Sequence, residues 1–188
     1  MFPREVVSVA DSARQTVPPL RNAGDALEQA FVCYQNELMG MLYHMIGHAD
    51  DARDALQEAF VKCWRSREQV AEIQNLKAWI FRVALNTARD MRQTAWRRHR
   101  RGLPEDESTI PSQQPSSEAQ AEYSEQLTLV RNAVSALRAE EQEVFLLRQN
   151  GQLTYEQIAE TLGVPTGTVK TRMRLALIRL RETLAQTM

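Results

Sequence analysis

Between Gly102 and Glu122 the chain carries Pro104, Pro111 and Pro115, the acids Glu105, Asp106, Glu107, Glu118 and Glu122, and no basic residue. Proline together with low hydrophobicity makes such a stretch extended or flexible, so residues 102–122 read as a linker and a domain boundary. A chain of 188 residues is long enough for one ordinary domain or two small ones. The linker selects two, at residues 25–101 and 123–188. Residues 1–24 form a leader with Arg4, Glu5, Asp11, Arg14, Arg21 and three prolines. It lacks the uninterrupted apolar centre of a signal peptide and reads as loosely ordered.

Both parts are helical in pattern. Leu27, Ala30, Phe31, Tyr34, Leu38, Met41, Leu42 and Met45 recur at three- and four-residue steps, up to a break at Gly47 and His48. Asp50 or Asp51 is placed to cap the next helix, whose apolar stripe is Ala52, Ala55, Leu56, Ala59, Phe60, Cys63 and Trp64. A polar stretch, Ser66 to Asn75, precedes a long pattern from Leu76 to about Trp96. Beyond the linker, Leu127, Val130, Val134 and Leu137 mark one helix, and Val144, Phe145 and Leu147 mark another. The last runs through Val169, Met173, Ala176, Leu177, Leu180 and Leu184. No segment alternates with the period of two expected of a half-buried strand. The expected fold is all-α, with two small helical domains. Cys33 and Cys63 fall among apolar residues outside any CxxC pair and read as small buried hydrophobes.

The formal net charge is -1, with 23 Lys+Arg against 24 Asp+Glu. Bulk charge therefore does not draw this chain to nucleic acid. Its distribution does. Arg82, Arg89, Arg92, Arg97, Arg98, Arg100 and Arg101 are opposed only by Asp90, and Lys170, Arg172, Arg174, Arg179 and Arg181 by no acid at all. The second basic stretch has a local frame. Thr154-Tyr155-Glu156-Gln157 has the form of a capping box, a short helix through Ile158, Ala159 and Leu162 stops at Gly163, and the basic helix follows Pro165. Short helix, glycine turn and second helix make a helix-turn-helix, which lays the N-terminal residues of its second helix in the major groove. Those residues are Thr166, Thr168, Lys170, Thr171, Arg172 and Arg174. Lysine and arginine donate to guanine or phosphate, and threonine offers a hydroxyl and a methyl. The plainer alternative is a helical hairpin with a solvated charged face.

Asp54-Ala55-Leu56-Gln57-Glu58-Ala59-Phe60, then Trp64, then Ala78-Trp79-Ile80-Phe81-Arg82-Val83-Ala84-Leu85-Asn86 resembles region two of extracytoplasmic-function (ECF) sigma factors, of the sigma-70 superfamily. Leu153-Thr154-Tyr155-Glu156-Gln157-Ile158-Ala159 and Leu162-Gly163-Val164-Pro165-Thr166-Gly167-Thr168-Val169-Lys170 resembles region four. Region four alone is shared by many regulators; the two blocks in this order, with no third domain between them, are specific. The resemblance implies a cytoplasmic subunit of bacterial RNA polymerase that recognises promoter DNA, with no catalysis, cofactor or small-molecule substrate of its own and no membrane insertion. It assigns Asp54, Gln57 and Glu58 to docking on core polymerase and Ser66–Asn75 to capture of an unstacked base of the minus-ten element. It assigns Arg82, Asn86, Arg89, Arg92, Trp96 and Arg97 to the melted strand, and the second helix of the helix-turn-helix to the minus-thirty-five element. An anti-sigma factor is the implied regulator, and an acidic linker suits a path through a basic polymerase channel. Leu175 and Leu177 stand where the family often has basic residues, so they either forgo backbone contacts or meet another protein.

Two other classes compete. A metal enzyme would use His44 and His48, four residues apart, but these lack the glutamate of a zinc-protease helix and a third ligand. A stand-alone helix-turn-helix regulator would leave the Asp54–Trp64 block without a task, as would a decoy that only sequesters an anti-sigma factor leave the Arg82–Arg101 bases.

Overall fold

Gly47 sits at φ +92°, a conformation that side-chain-bearing residues rarely adopt, and there the first helix gives way to the second. The computed structural model describes residues 23–100 and 118–186. Helix α1 (Ala23–Ile46) buries Leu27, Phe31, Leu38, Met41, Leu42 and Met45. Helix α2 (Ala49–Arg65) offers in return Ala52, Ala55, Ala59 and Cys63, small side chains that let the two axes approach closely. A 3₁₀ turn (Arg67–Glu72) pins Val70 inward. Asn75 then caps α3 (Leu76–Arg100), its side-chain oxygen accepting from the Ala78 amide at 3.0 Å. Ile80, Phe81, Ala84, Leu85 and Ala88 close the three-helix core.

The remaining helices are α4 (Glu118–Ser135), α5 (Ala139–Gln149), α6 (Tyr155–Leu162) and α7 (Thr166–Ala185). Every described element is helical, as the periodicity requires. Thr154 Oγ accepts from the Gln157 amide while the Gln157 side chain accepts from the Thr154 amide, the expected capping box. Gly163 is left-handed (φ +67°), and the Val164 amide reaches back to the Ala159 carbonyl at 3.0 Å, so α6 ends where the glycine requires.

Three local expectations are corrected. Cys33 is exposed, because it stands two residues from Phe31 and hence about 200° around the helix from the buried stripe. Neither Asp50 nor Asp51 caps α2; extended His48 holds that position with no side-chain bond, and Asp50 pairs instead with Arg53 at 2.5 Å. Leu127, Val130 and Leu177 are exposed although they continue apolar stripes. The linker expected at 102–122 lies mostly outside the described residues, and α4 already begins at Glu118 within it.

The two helical sets pack on each other through one continuous apolar cluster, from Leu27 to Leu180. The approach is close. A Cβ on Gly40 would lie 2.7 Å from the Asn150 side-chain nitrogen, and one on Gly151 would lie 3.2 Å from the Phe81 ring.

Candidate nucleic-acid interface

Helix α7 is held from beneath by Val169, Met173, Ala176 and Leu180. Steps of three and four from Gly167 place Thr171 and Arg174 on the opposite, solvent side, flanked by exposed Lys170. Thr166, Thr168 and Arg172 are half-buried at the sides of that face. The Thr171 hydroxyl donates to the Gly167 carbonyl at 3.0 Å, leaving its lone pairs and methyl outward. Of the two leucines singled out by sequence, Leu175 is half-buried and Leu177 exposed, next to exposed Ile178. Arg179 does not project to solvent: it pairs with buried Glu141 of α5, tying α7 to its neighbour.

A second basic surface lies on α3. Its core side is Ile80, Ala84, Thr87 and Ala88, so Arg82, Asn86, Arg89 and Gln93, spaced four, three and four, form one exposed line. These groups are not all free. The Arg89 guanidinium gives two parallel bonds to Glu143 of α5, Nε to Oε1 at 2.7 Å and Nη2 to Oε2 at 2.6 Å, and a third, at 3.2 Å, to the Asn86 side chain. The hydrogen bonds to Glu143 push the Arg89 pKa above its already high value. Arg92 reaches the Gln142 side-chain oxygen at 3.4 Å. Trp79 is half-buried against the core, as its place on the apolar stripe suggests. The side chains of Trp96 and Arg97 lie outside the described residues.

The third surface is on α2. Asp54, Gln57, Glu58 and Val61 are exposed on the side away from Ala55 and Ala59. Gln57 also borders a shallow apolar groove of about 280 Å³ between α1 and α2, lined by Phe31, Val32, Gln35, Leu56, Phe60 and Val61. Glu58 lies 4.0 Å from Lys62, whose ammonium also donates to Thr87 at 3.2 Å and to Asp90 at 3.4 Å, so α2 is strapped to α3 beside both surfaces. His44 is half-buried and His48 exposed, and no cluster of metal-ligating side chains occurs among the described residues. No described helix is long and apolar enough to cross a membrane.

Sequence reasoning missed the polar group on α5. Glu141, Gln142 and Glu143 are all buried. Their signal was present: Glu141 stands three residues before Val144 and Glu143 four before Leu147, which places both on the apolar side of the helix.

Two family models match separate stretches of the chain. Residues 30–101 match the Sigma-70 region 2 family and residues 127–180 match Sigma-70, region 4. The chain is 32% identical to the ECF RNA polymerase sigma factor SigL of Mycobacterium tuberculosis over 76% of its own length and 79% of that protein. It is 30% identical to ECF RNA polymerase sigma factor SigE of Mycolicibacterium smegmatis over 78% of its length, spanning 56% of that longer relative. Among solved structures, RpoE of Bartonella quintana in complex with the anti-sigma factor NepR superposes with a TM-score of 0.66 at 25% identity, covering 85% of this chain and 97% of that one. CnrH, solved with the cytosolic domain of CnrY, shares the fold with a TM-score of 0.63 at 19% identity, covering 87% and 93%. Matches to sigma-70 region 2 and then region 4 along one chain define a transcription-initiation protein. The chain belongs to the ECF family of RNA polymerase sigma factors. Sigma factors initiate transcription without chemistry of their own, so this protein is not an enzyme, and family membership decides against a stand-alone regulator.

Proposed function

We propose that this chain, acting in the cytoplasm, docks on bacterial core RNA polymerase through Asp54, Gln57 and Glu58 of α2, and reads promoter DNA with α3 and α7. Three exposed polar side chains, one of them bordering an apolar groove, suit a helical partner, which gains contact area from the groove and register from the charges. In this reading the turn and loop at 66–75 capture a minus-ten base, Arg82, Arg89 and Arg92 hold phosphates of the melted strand, and Asn86 bonds a base edge. Lys170, Thr171 and Arg174 face the minus-thirty-five major groove, with Thr166, Thr168 and Arg172 at its margins. An anti-sigma protein masking these surfaces is the regulator this reading calls for.

The observation that carries the reading is the outward placement of Lys170, Thr171 and Arg174 on a helix whose entry is fixed by the Thr154 cap and the Gly163 turn. Its test is transcription from the cognate promoter by reconstituted holoenzyme carrying Lys170→Ala and Arg174→Ala. Losing two groove contacts costs about 1–3 kcal/mol each, so promoter output falls at least tenfold while binding to core polymerase is retained. Unchanged output, or loss of core binding, contradicts the assigned division of labour.

A further inference from the structure

Along the whole of α3 the one acid is Asp90. It follows Asn86 by four residues and precedes Gln93 by three, so it stands on the side of the helix that carries the line Arg82, Asn86 and Gln93. Its side chain is 71% exposed, open to whatever approaches that face. A nucleic-acid strand drawn to the arginines therefore meets one carboxylate among them, and like charges repel. The partner of that carboxylate comes from another helix. The Lys62 ammonium, sent from α2, lies 3.4 Å from Asp90 Oδ2. It is anchored from below as well. It donates at 3.2 Å to the hydroxyl of buried Thr87, which in turn donates to the Val83 carbonyl at 3.0 Å. Its third acceptor, Glu58, is further away at 4.0 Å. Thr87 thus fixes the ammonium beside Asp90, at the margin of the proposed DNA face.

Holding two helices together does not account for this placement. Helices α2 and α3 already share the apolar cluster that contains Ala55, Ala59, Cys63, Ile80, Ala84 and Ala88, and an ion pair this exposed adds little to stability. We propose that Lys62 is a positioning residue for the melted strand: it neutralises the lone acid of α3 and so keeps that face attractive to phosphate. This rests on the assignment of α3 to nucleic acid made above. Lys62 belongs by sequence to the helix proposed for polymerase and by action to the DNA face. Its contribution is electrostatic and therefore fades as salt screens charge.

The test uses reconstituted holoenzyme on its cognate promoter and reads the holoenzyme concentration that half-saturates permanganate reactivity of unpaired minus-ten thymines. Lys62→Met keeps the apolar stem and removes the charge, Lys62→Arg keeps the charge, and Asp90→Asn removes the acid. Circular dichroism and co-migration with core polymerase check that each variant is folded and docked. Lys62→Met should need about tenfold more holoenzyme at low salt, and the gap should narrow as salt rises. Lys62→Arg and Asp90→Asn should open the promoter at least as readily as wild type. The double variant Lys62→Met, Asp90→Asn should return to within about twofold of wild type, because the two sites are directly coupled. A double variant as weak as Lys62→Met makes Lys62 a mere strap and overturns the proposal, as does a Lys62→Met that opens DNA like wild type. Loss of core binding by Lys62→Met also overturns it, by placing the lysine on the polymerase surface. The sigma-factor assignment fails by a separate reading, the absence of open promoter with wild-type holoenzyme.

Discussion

Of the two histidines whose side chains are described, His44 is set half inside the protein, and its Nδ1 is buried without a hydrogen-bond partner among the described residues. Desolvation, and secondarily the positive charge of Arg131, hold its pKa below the usual 6.5. The unfolded chain therefore binds more protons than the folded one as pH falls through 6.5, so stability is lost on acidification from that point down to the folded-state pKa. Urea midpoints should decline from pH 7 to pH values below 6.5, and His44→Gln should flatten that part of the profile. An unaltered slope in the variant would remove His44 from the account. The cysteines make a cleaner contrast. Burial pushes the Cys63 thiol up to about 12, while Cys33 is exposed, so a thiol reagent should label Cys33 in the folded protein and both residues after denaturation. Rapid labelling of two thiols under native conditions would contradict the packing of α2. Both cysteines looked alike in sequence because each has apolar neighbours. Only the angular offset of Cys33 from Phe31 tells them apart, and it weighs little in a helix as apolar as α1.

At the scale of elements, local chemistry was legible and tertiary partnership was not. Thr154, Gln157 and Gly163 specify the start and stop of α6 through bonds made within a few residues, so sequence alone places them. Thr154→Ala should cost about 1 kcal/mol of unfolding free energy through the lost cap. Gly163→Ala should cost roughly 1–2 kcal/mol through strain at positive φ. Denaturant titration reads both, and a cost near zero at either site would mean that the helix-turn-helix angle is set by the core instead. The stripe of α4 shows the opposite case. Leu127 and Val130 repeat correctly for burial, yet among the described apolar side chains here it is Ala133, Val134 and the following Leu137 that are buried. Whether an apolar residue is covered depends on where the neighbouring helix ends, which its own periodicity does not encode. The same holds for Glu141 and Glu143, whose burial depends on Arg179 and Arg89 arriving from helices distant in sequence.

For the whole molecule, the acidic, proline-containing stretch marked a division, and the family matches at 30–101 and 127–180 fall on either side of it. What the sequence left open was how the two sets meet. Their contact is assembled from Gly40 and Asn150, Phe81 and Gly151, Arg89 and Glu143, pairs with no local signature. The arrangement leaves the Asp54 face of α2 and the Lys170 face of α7 open to solvent while α5 engages part of α3, so the surface proposed for polymerase is open before the surface for melted DNA is complete. That order suits a protein of net charge -1, which has little bulk attraction for duplex and relies on a partner to bring it there. The central claim is therefore docking through α2, and co-migration with bacterial core RNA polymerase on a sizing column tests it most directly. Wild type should co-migrate, and the Asp54→Ala, Gln57→Ala, Glu58→Ala triple variant should elute alone with its helical content unchanged. Co-migration of the triple variant at wild-type levels would contradict the account.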